Sequence, residues 1–359
     1  MAKKKVLLAV CGSISFYKAF EILSQLKKSN FDVYVMLSEG ALKFVNYKAF
    51  EALCDHPVLC SQTEDWQEGV NHIEYAKVDI VLIAPAANTK MLENPITKNC
   101  FDLLQDRTNA IFVDPVEKGL ACGEFGKGGL AEPSLIVDEV KRALYEDKFY
   151  KNKMVVTTGG PTIEKIDNVR GITNFSSGKF SKALADAFYY LGAEVTLISS
   201  IEYDNLPYKF VKFESSIGLK SALESTKFKE NSFLLMAAAV SDYVPKVRYK
   251  EKMKKEEIGE IWNLRLGLND DIIGGFRAMG VKKIGFKLET DKEASLISAK
   301  KMLNEKGLDA VCLNVLDEVV KFGGDMTRIT FITKTGETDI KTATKNEVAF
   351  QIAKLAKSL

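Results

Sequence analysis

The 359-residue chain has little histidine and almost no excess charge of either sign. Its two histidines are His56 and His72, and its net charge is +2. So few histidines nearly exclude a zinc site built from them and most hydrolytic relays that depend on one. The balanced charge argues against a nucleic-acid partner. Chemistry must therefore rest on Cys, Lys, Asn or Asp side chains, or on a bound cofactor.

Long apolar runs and paired cysteines are also missing. The longest runs, such as residues 78–87, are strand-sized, so we expect no transmembrane helix and no membrane partner. The apolar residues 6–10 are too few for the core of a signal peptide and are typical of a first β-strand. The six cysteines contain no Cys-x-x-Cys motif and suit a reducing compartment. These features predict a cytoplasmic protein.

Strand-like and helix-like patterns alternate in two series, which predicts an α/β protein with two tandem three-layer Rossmann-like domains. We place the domains at residues 1–150 and 151–359, with a polar linker at 146–153 and a lysine-rich exposed arm at 249–257. The predicted strands cover residues 5–10, 32–37, 79–84, 110–113, 154–157, 194–199, 232–237, 283–286 and 310–314. The predicted helices cover residues 16–28, 42–53, 133–150, 180–191, 294–305 and 346–357. A hairpin is expected around Thr335-Gly336, before the final helix.

Two small-residue segments of the second domain lie where an α/β sheet binds anions. Gly159 and Gly160 follow a strand, and Ser176, Ser177 and Gly178 precede a helix whose N–H groups and dipole attract a phosphate. A simple turn and an empty N-cap are the structural alternatives. The chain lacks both a Walker A loop and a GxGxxG motif, which weakens the hypothesis of a dinucleotide-dependent oxidoreductase.

Two charged features of the second domain also fit a nucleotide site. Asp242 ends a strand, where a carboxylate commonly binds a ribose or a metal, although an ordinary cap is an equal alternative. Lys252, Lys254 and Lys255 form a cationic run that would otherwise be a solvated surface.

These segments occur in the order found in phosphopantothenate–cysteine ligases, and residues 153–359 resemble that family. The matching segments are residues 157–179, 238–243, 252–255, 285–290 and 322–325. The resemblance implies that CTP activates the carboxylate of 4′-phosphopantothenate as an acyl-cytidylate, which the amine of cysteine then attacks. Such a transfer needs charge neutralisation more than a protein nucleophile, so Lys and Mg²⁺ suffice. It also implies a homo-oligomer with a dimeric ligase domain.

The ligase resemblance assigns residue roles. Asn174 would hold the acyl group, and Lys252 would neutralise phosphates from a flexible arm. The implied nucleotide-binding residues are Met236, Ala237, Ala238, Asp242, Asp270, Asp271, Ile272, Ile273, Phe286 and Lys306. Two positions depart from the family pattern, because Asp270 replaces a proline and Met302 replaces a second lysine.

The first domain carries flavoprotein-like motifs. Gly12, Ser13 and Ser15 open a helix after the first strand, where glycine and small hydroxyls suit a phosphate. The segment resembles the FMN-phosphate loop of phosphopantothenoylcysteine decarboxylases, and Ser38 fits a further flavin contact. The whole chain thus resembles the bifunctional decarboxylase/ligases of coenzyme A synthesis.

The decarboxylase resemblance assigns three catalytic residues. His72 matches the catalytic histidine, Asn88 matches the asparagine that binds the substrate carboxylate, and Cys122 lies in a glycine-rich flap. In that family the flap cysteine protonates the enethiolate that remains after carbon dioxide leaves. Flavin oxidation of the cysteinyl thiol prepares the substrate for decarboxylation.

One segment departs from the decarboxylase pattern. The family has two Ala-Pro-Ala segments, whereas this chain has one, at residues 84–86. A helix–strand unit of ~30 residues is therefore missing. Three hypotheses follow: a bifunctional enzyme, a working ligase attached to a flavin-free assembly module, and an unrelated nucleotide-sugar or dinucleotide oxidoreductase. We expect the first, because His72, Asn88 and Cys122 are all retained.

Overall fold

The computed structural model describes residues 3–65, 73, 75, 77, 81–108, 110–119, 123–290, 292–317, 321 and 323–359. The chain divides into two compact units, residues 1–145 and 146–359, close to the predicted domain boundary. Each unit has its own hydrophobic core. Within the described residues, no helix is both long and apolar enough to cross a membrane.

The first unit is built around a parallel strand pair. β1 (Lys5–Val10) pairs with β2 (Asp32–Leu37), and the connection contains a 3₁₀ turn at Ile14–Tyr17 and helix α1 (Lys18–Lys28). The buried residues of α1 and β2 are Ala19, Ile22, Leu23, Leu26, Val33, Val35 and Leu37. Their spacing follows the helix period in α1 and strict alternation in β2, which is why the sequence predicted both elements.

The other elements of the first unit follow β2 in chain order. They are α2 (Glu39–Leu42), α3 (Lys48–Glu51), β3 (Leu82–Ile83), α4 (Thr89–Leu92), α5 (Pro95–Arg107), β4 (Ile111–Phe112), β5 (Val116–Gly119), β6 (Phe125–Gly129) and α6 (Pro133–Tyr145). β3 and β4 form a second parallel pair, whereas β5 and β6 form an antiparallel pair.

The predicted residue bounds of two helices in this unit were wrong. The single helix expected over 42–53 is replaced by α2 and α3, because the Asn46 carboxamide accepts a hydrogen bond from the Lys48 N–H (3.0 Å) and starts a new turn there. The helix expected over 133–150 ends at Tyr145. There the Asp147 carboxylate accepts from the Phe149 N–H (2.9 Å), which favours a turn over another helical residue.

The second unit has a large mixed sheet. The strands of this unit, inside and outside that sheet, are β7 (Met154–Gly159), β8 (Ile163–Lys165), β9 (Gly171–Thr173), β10 (Glu194–Ser199), β11 (Lys209–Lys212), β12 (Phe233–Met236), β13 (Tyr243–Pro245), β14 (Leu266–Leu268), β15 (Lys282–Glu289), β16 (Ala310–Val315), β17 (Met326–Thr333) and β18 (Glu337–Thr344). Its helices are α7 (Lys179–Tyr190), α8 (Ser216–Glu224), α9 (Lys255–Ile258), α10 (Ile272–Gly275), α11 (Lys292–Glu305) and α12 (Lys345–Ala356). Within the described residues, the central sheet has the order β11-β10-β7-β12-β15-β16-β17-β18. All its pairs are parallel except β16–β17 and β17–β18, which form the antiparallel edge with the predicted hairpin.

Both faces of this sheet are buried. In β12, Phe233 and Leu235 belong to one apolar cluster, while Leu234 and Met236 belong to another. Because successive strand residues point to opposite faces, the sheet lies between two apolar layers. This is the predicted three-layer arrangement.

The strand order places a topological switch between β7 and β12. From β7 the chain moves outward to β10 and β11, and it then returns to the opposite side of β7 as β12. Open α/β sheets bind ligands outside the carboxyl ends of strands at such a point. The loops after β7 and β12 are therefore the first place to look for a site.

Candidate active sites

The loops after β7 and β12 are joined by hydrogen bonds. The Ala239 N–H donates to the Gly160 carbonyl oxygen (2.9 Å), and the Thr162 N–H donates to the Ala239 carbonyl oxygen (3.1 Å). The Thr158 hydroxyl accepts from the Ala238 N–H (3.1 Å). The backbone after β12 is thereby held in place at the edge of the sheet.

Close packing explains the two glycines at the end of β7, where Gly159 is the last strand residue and Gly160 follows it. A Cβ atom on Gly159 would lie 1.9 Å from the Ser181 Oγ, and one on Gly160 would lie 2.3 Å from the Ser200 Oγ. Gly160 also has a φ of 75°, a region that favours glycine. Both residues are buried, and neither lines the α7 pocket described below. Their observed contacts are thus with the protein, although both were predicted to bind phosphate.

Asn174 and Asp242 both lie at the loop after β12. The Asn174 Nδ2 donates to the Val240 carbonyl oxygen (3.0 Å). Asn269 binds the same loop through two hydrogen bonds. Its Nδ2 donates to the Ser241 carbonyl oxygen (2.8 Å), and its backbone N–H donates to the Asp242 carbonyl oxygen (2.8 Å). Asn174 and Asp242 are both exposed. The predicted acyl-binding and nucleotide-binding residues therefore lie around one loop, accessible to a substrate.

A pocket of about 120 Å³, which we call the α7 pocket, lies at the N-terminus of α7. Ser176, Ser177, Gly178 and Ala237 are among the residues that line it. Gly178 is the N-cap residue, with a φ of 66°, and it has no side chain to cap the first turn. The unpaired N–H groups and the helix dipole make this a favourable place for an anion. The predicted phosphate-binding segment 176–178 therefore faces a pocket.

Phe286 lies beside the α7 pocket. Its ring packs edge-on against Phe180, with ring centroids 5.8 Å apart, and Phe180 lines the pocket.

Asp271 is the N-cap of α10 and forms an ion pair with Lys306 (3.2 Å). The structure thus brings two of the predicted nucleotide-binding residues, Asp271 and Lys306, into direct contact.

The rest of the 270–273 segment is divided between surface and core. Asp270 forms an exposed ion pair with Lys220 (2.9 Å). Ile272 and Ile273 are 8 % and 5 % exposed and pack in the core, so only their backbone is available to a nucleotide.

The lysine arm is anchored at Met253. The Met253 N–H donates to the Asp167 Oδ2 (3.4 Å), and the Arg170 guanidinium donates to the Met253 carbonyl oxygen (3.0 Å). The Asp167 side chain is fully buried and also accepts two N–H groups of Arg170 (2.5 and 2.9 Å). Lys252, next to this anchor, is exposed. The irregular arm ends at Lys254, because α9 begins one residue later.

In the first unit, the turn after β1 packs closely against the first turn of α2 through Gly12 and Gly40. A Cβ atom on Gly12 would lie 2.8 Å from the carbonyl carbon of Gly40. The Ser13 Oγ accepts from the Ser15 N–H (3.3 Å) and donates to the Ala86 carbonyl oxygen (3.4 Å). The predicted phosphate loop is therefore a compact turn fastened to the segment after β3.

A cavity of about 690 Å³ opens beside this turn, and we call it the β1–β3 cavity. It is lined by the whole of β1, by residues 81–87 and, at one end, by Gly12, Ser13 and Ser15. Its volume is in the range of about 300–1,000 Å³ found for small-molecule sites. Ser38 does not line it, because the Ser38 Oγ caps α2 by accepting from the Ala41 N–H (3.2 Å). A turn in which Gly12 packs against Gly40 beside an open cavity fits a flavin phosphate. Ser38 is not part of the cavity lining.

The β1–β3 cavity leaves strand edges without partners. Within the described residues, β1 pairs only with β2, and β3 only with β4. The main-chain groups of Leu7, Ala9 and Leu82 point away from those partners, because successive residues of a strand alternate in direction. A parallel sheet normally buries such edges, but among the described residues no strand lies between β1 and β3.

Asn88 contacts the predicted flap. It is the N-cap of α4, with its Oδ1 accepting from the Lys90 N–H (2.9 Å), and its Nδ2 donates to the Glu124 carboxylate (3.2 Å). Glu124 is two residues from Cys122 in the sequence. His72 and Cys122 themselves lie outside the described residues.

Comparison with known proteins gives a family for both units. The family model described as the DNA/pantothenate metabolism flavoprotein C-terminal domain matches residues 150–359, and the Flavoprotein model matches residues 1–86 and 75–145. The "Coenzyme A biosynthesis bifunctional protein CoaBC" of Bacillus subtilis (strain 168) is 32 % identical over 397 aligned positions, which cover 97 % of this chain and 95 % of that protein. The chain belongs to the CoaBC family.

Other relatives extend this comparison. A "Cysteine/Cysteine sulfinic acid decarboxylase" from an unknown prokaryotic organism is 37 % identical over 284 positions, covering 76 % of this chain and 77 % of that protein. The crystal structure of the C-terminal domain of a CoaBC protein aligns with a TM-score of 0.47 and 28 % identity, over 59 % of this chain and 97 % of that one. Membership of the CoaBC family sets aside the unrelated oxidoreductase of the third hypothesis.

The comparisons also support the missing unit in this CoaBC chain. The two stretches matched by the Flavoprotein model overlap at residues 75–86, so these residues are matched twice. The overlap ends in the single Ala-Pro-Ala segment. The alignment with the Bacillus protein has 397 positions, more than the 359 residues of this chain. The doubly matched residues 75–86 thus include the single Ala-Pro-Ala segment, where the sequence departs from the expected pattern.

Sequence reasoning missed Asp167 and Arg170 as anchors of the lysine arm. Hydrogen bonds from the Arg170 side chain contribute most to holding the pKa of the Asp167 carboxyl well below its usual range. Hydrogen bonds from backbone N–H groups lower this pKa further. The only sequence signal was a charged pair three residues apart in a loop. That spacing carries no structural meaning outside a helix.

The lowered pKa predicts how pH affects the second unit. A carboxyl whose pKa falls on folding stabilises the fold above its unfolded pKa of about 4, and this stabilisation is lost as the pH falls towards the folded value. We therefore expect Asp167→Asn to lower the unfolding midpoint at pH 7. The difference in midpoint between the wild type and the variant should become smaller below about pH 4. The midpoint is followed by fluorescence of Trp262, whose ring lies 4.2 Å from the Arg170 guanidinium, in a Trp66→Phe background. A difference between the two proteins that stayed constant down to pH 2 would contradict this role.

Proposed function

We propose that this chain carries out both CoaBC reactions. Residues 146–359 would couple 4′-phosphopantothenate to cysteine at the expense of CTP, and residues 1–145 would decarboxylate the product to 4′-phosphopantetheine with FMN. The observation that carries the proposal is the grouping of Asn174, Asp242 and the N-terminus of α7 around the switch point of the large sheet. We further propose a cytoplasmic homo-oligomer with paired ligase units.

In the coupling reaction, a carboxylate oxygen of 4′-phosphopantothenate attacks the α-phosphorus of CTP, and pyrophosphate leaves. The cysteine amine then attacks the acyl carbon, and CMP leaves with the electron pair of the broken bond. Asn174 would bind the acyl group, Asp242 the ribose, and the α7 N-terminus a phosphate. Lys252 would neutralise the charge that develops on the phosphates. Mg²⁺ would bind mainly through the nucleotide phosphates, as is usual for this ion.

In the decarboxylation reaction, the chain's own residues would hold the substrate and move protons. Gly12, Ser13 and Ser15 would hold the FMN phosphate, and the flavin would supply the reversible two-electron oxidation of the cysteinyl thiol. Asn88 would bind the carboxylate that leaves as carbon dioxide. His72 is the proposed acid–base residue, and Cys122 would protonate the resulting enethiolate.

The purified full-length chain tests both halves. Flavin released by heat is counted per chain, and the protein is incubated with 4′-phosphopantothenate, cysteine and CTP. Bound FMN, release of pyrophosphate and carbon dioxide, and formation of 4′-phosphopantetheine would support both activities. Coupling without bound or recruitable FMN would support the second hypothesis, a ligase with a flavin-free first unit. Absence of coupling would contradict the proposed ligase function.

Cys122→Ser should stop decarboxylation after carbon dioxide is lost. Because serine is a far weaker acid than a thiol, the enethiolate is not protonated and the site does not turn over. We expect a burst of about one carbon dioxide per flavin-loaded chain, followed by a steady-state rate near zero. Cys100→Ser is the matched control and should behave as the wild type. Equal turnover by wild type and Cys122→Ser would remove Cys122 from the mechanism.

A further inference from the structure

We propose that Lys345 is a further phosphate-binding residue of the ligase unit, and that it contacts the part of CTP that leaves as pyrophosphate. This inference rests on the proposed coupling function. It starts from the α7 pocket, whose wall also contains Lys345, Thr327, Asn314 and Lys321. None of these residues was singled out by the sequence.

The shape of the α7 pocket favours a compact anion. Its volume of about 120 Å³ is below the range of about 300–1,000 Å³ typical of whole small-molecule sites. Gly178, at the N-terminus of α7, and Lys345, the first residue of α12, both line it. α7 has 12 residues and no side-chain cap, so its dipole attracts negative charge to this place, whereas the start of α12 is already capped by Thr344 and Glu347. The pocket therefore suits a phosphate group better than a nucleoside.

A buried hydroxyl provides independent evidence for a ligand. Thr327 is 1 % exposed, and its Oγ1 has no hydrogen-bond partner among the described residues. The Asn314 Oδ1, on the same pocket wall, is likewise buried without a partner. Buried polar atoms are almost always hydrogen-bonded, because an unpaired one costs about 1–3 kcal/mol. A phosphate that reaches into the pocket can accept from the Thr327 hydroxyl, whereas the Asn314 Oδ1 is itself an acceptor and needs a donor.

The charges around the pocket also favour an anion. Burial and the neighbouring Lys179 lower the pKa of Lys345, while Asp325 acts in the opposite direction. Lys179 is paired with Asp325 (2.7 Å), and both are largely exposed. Lys321 and Lys345 both line the pocket, and the Lys345 N–H donates to the Asp325 carbonyl oxygen (3.0 Å), which fixes the start of α12. A triphosphate would supply the negative charge that this cluster lacks.

The position of the pocket suggests which phosphates it takes. Ala237, assigned to the nucleotide by the family resemblance, lines the pocket, and Asp242 follows it in the same loop. With the ribose at Asp242, the phosphate chain would pass Ala237 and enter the pocket with its far end. Lys345 would then bind the β- and γ-phosphates, whereas CMP would not reach it.

The test compares CTP with CMP as ligands of the full-length protein. Lys345→Met should weaken CTP binding by about 10- to 100-fold, as expected for a lost charge-assisted hydrogen bond, and leave CMP binding within about twofold. Inorganic tripolyphosphate should lose affinity in parallel with CTP. Lys345→Arg should restore most of the loss, and Thr327→Val should weaken CTP binding while leaving the unfolding midpoint nearly unchanged. Lys354→Met, on the same helix outside the pocket lining, is the matched control.

The outcomes separate this role from the proposed function. Unchanged CTP affinity in Lys345→Met, or equal losses for CTP and CMP, would overturn the role of Lys345 and leave the coupling function standing. A wild-type protein that bound neither CTP nor tripolyphosphate would overturn the coupling function and this role together.

Discussion

Replacing Lys252 by alanine should slow CTP-dependent coupling by about 10²–10³-fold, the usual cost of removing one group that stabilises transition-state charge. Lys252 is exposed, so its loss leaves the packing of the second unit intact. The arm that carries it is fixed at two points. The Tyr249 N–H donates to the Ile166 carbonyl oxygen (2.8 Å), and Met253 is bound by Asp167 and Arg170. An exposed lysine on an anchored arm is suited to reach a substrate rather than to support the fold.

Lys250→Ala is the matched control for this prediction. Lys250 is also an exposed lysine between the two anchors. We expect its coupling rate to stay within a few-fold of the wild type, because a solvated charge outside the site contributes little. The measurement is the initial rate of pyrophosphate release at saturating CTP, with circular dichroism to check folding. Equal rates for the two variants would show that Lys252 has no special role.

Replacing Gly12 by alanine should remove most of the bound flavin from the first unit. The added Cβ would lie 2.8–2.9 Å from backbone atoms of Gly40, and backbone cannot give way as a flexible side chain can. The turn after β1 must then move, and with it Ser13 and Ser15, which line the β1–β3 cavity. We expect the flavin content per chain to fall at least tenfold, since a phosphate loop binds through closely placed backbone N–H groups.

The control for this prediction is Gly119→Ala. A Cβ on Gly119, in β5 of the same unit, meets no atom within 4 Å. Its flavin content should match that of the wild type. Coupling by the second unit should be normal in both variants, which shows that the effect is local. Wild-type flavin content in Gly12→Ala would contradict the assignment of the phosphate loop.

Regular apolar patterns made much of the fold predictable. β1, β2 and β10 have the predicted bounds, because each is a short segment rich in apolar residues that begins at a charged residue. The expected helix over 42–53 was wrong because side chains such as Asn46 compete with helical hydrogen bonds at places that periodicity does not reveal. The departure at the single Ala-Pro-Ala segment could be anticipated from the sequence, whereas the β1–β3 cavity beside it could not.

The candidate site was predictable only in part. Asn174, Asp242 and the segment 176–178 lie at strand or helix ends, where the general rule for α/β sheets places ligands. The role of Lys345 required the structure, since its place in the α7 pocket depends on β17 and β18 returning antiparallel to β16. Asp167 is likewise buried by tertiary packing, in a loop whose composition is that of an ordinary turn.

The separate cores of the two units have a consequence for the evolution of the protein. All strands of the large sheet lie within residues 146–359, and the apolar cluster of the first unit lies within residues 6–144. Substitutions in one core therefore remove none of the apolar contacts within the other core. Natural selection can act on the two activities independently, and a lineage that no longer needs decarboxylation could shorten the first unit without losing coupling.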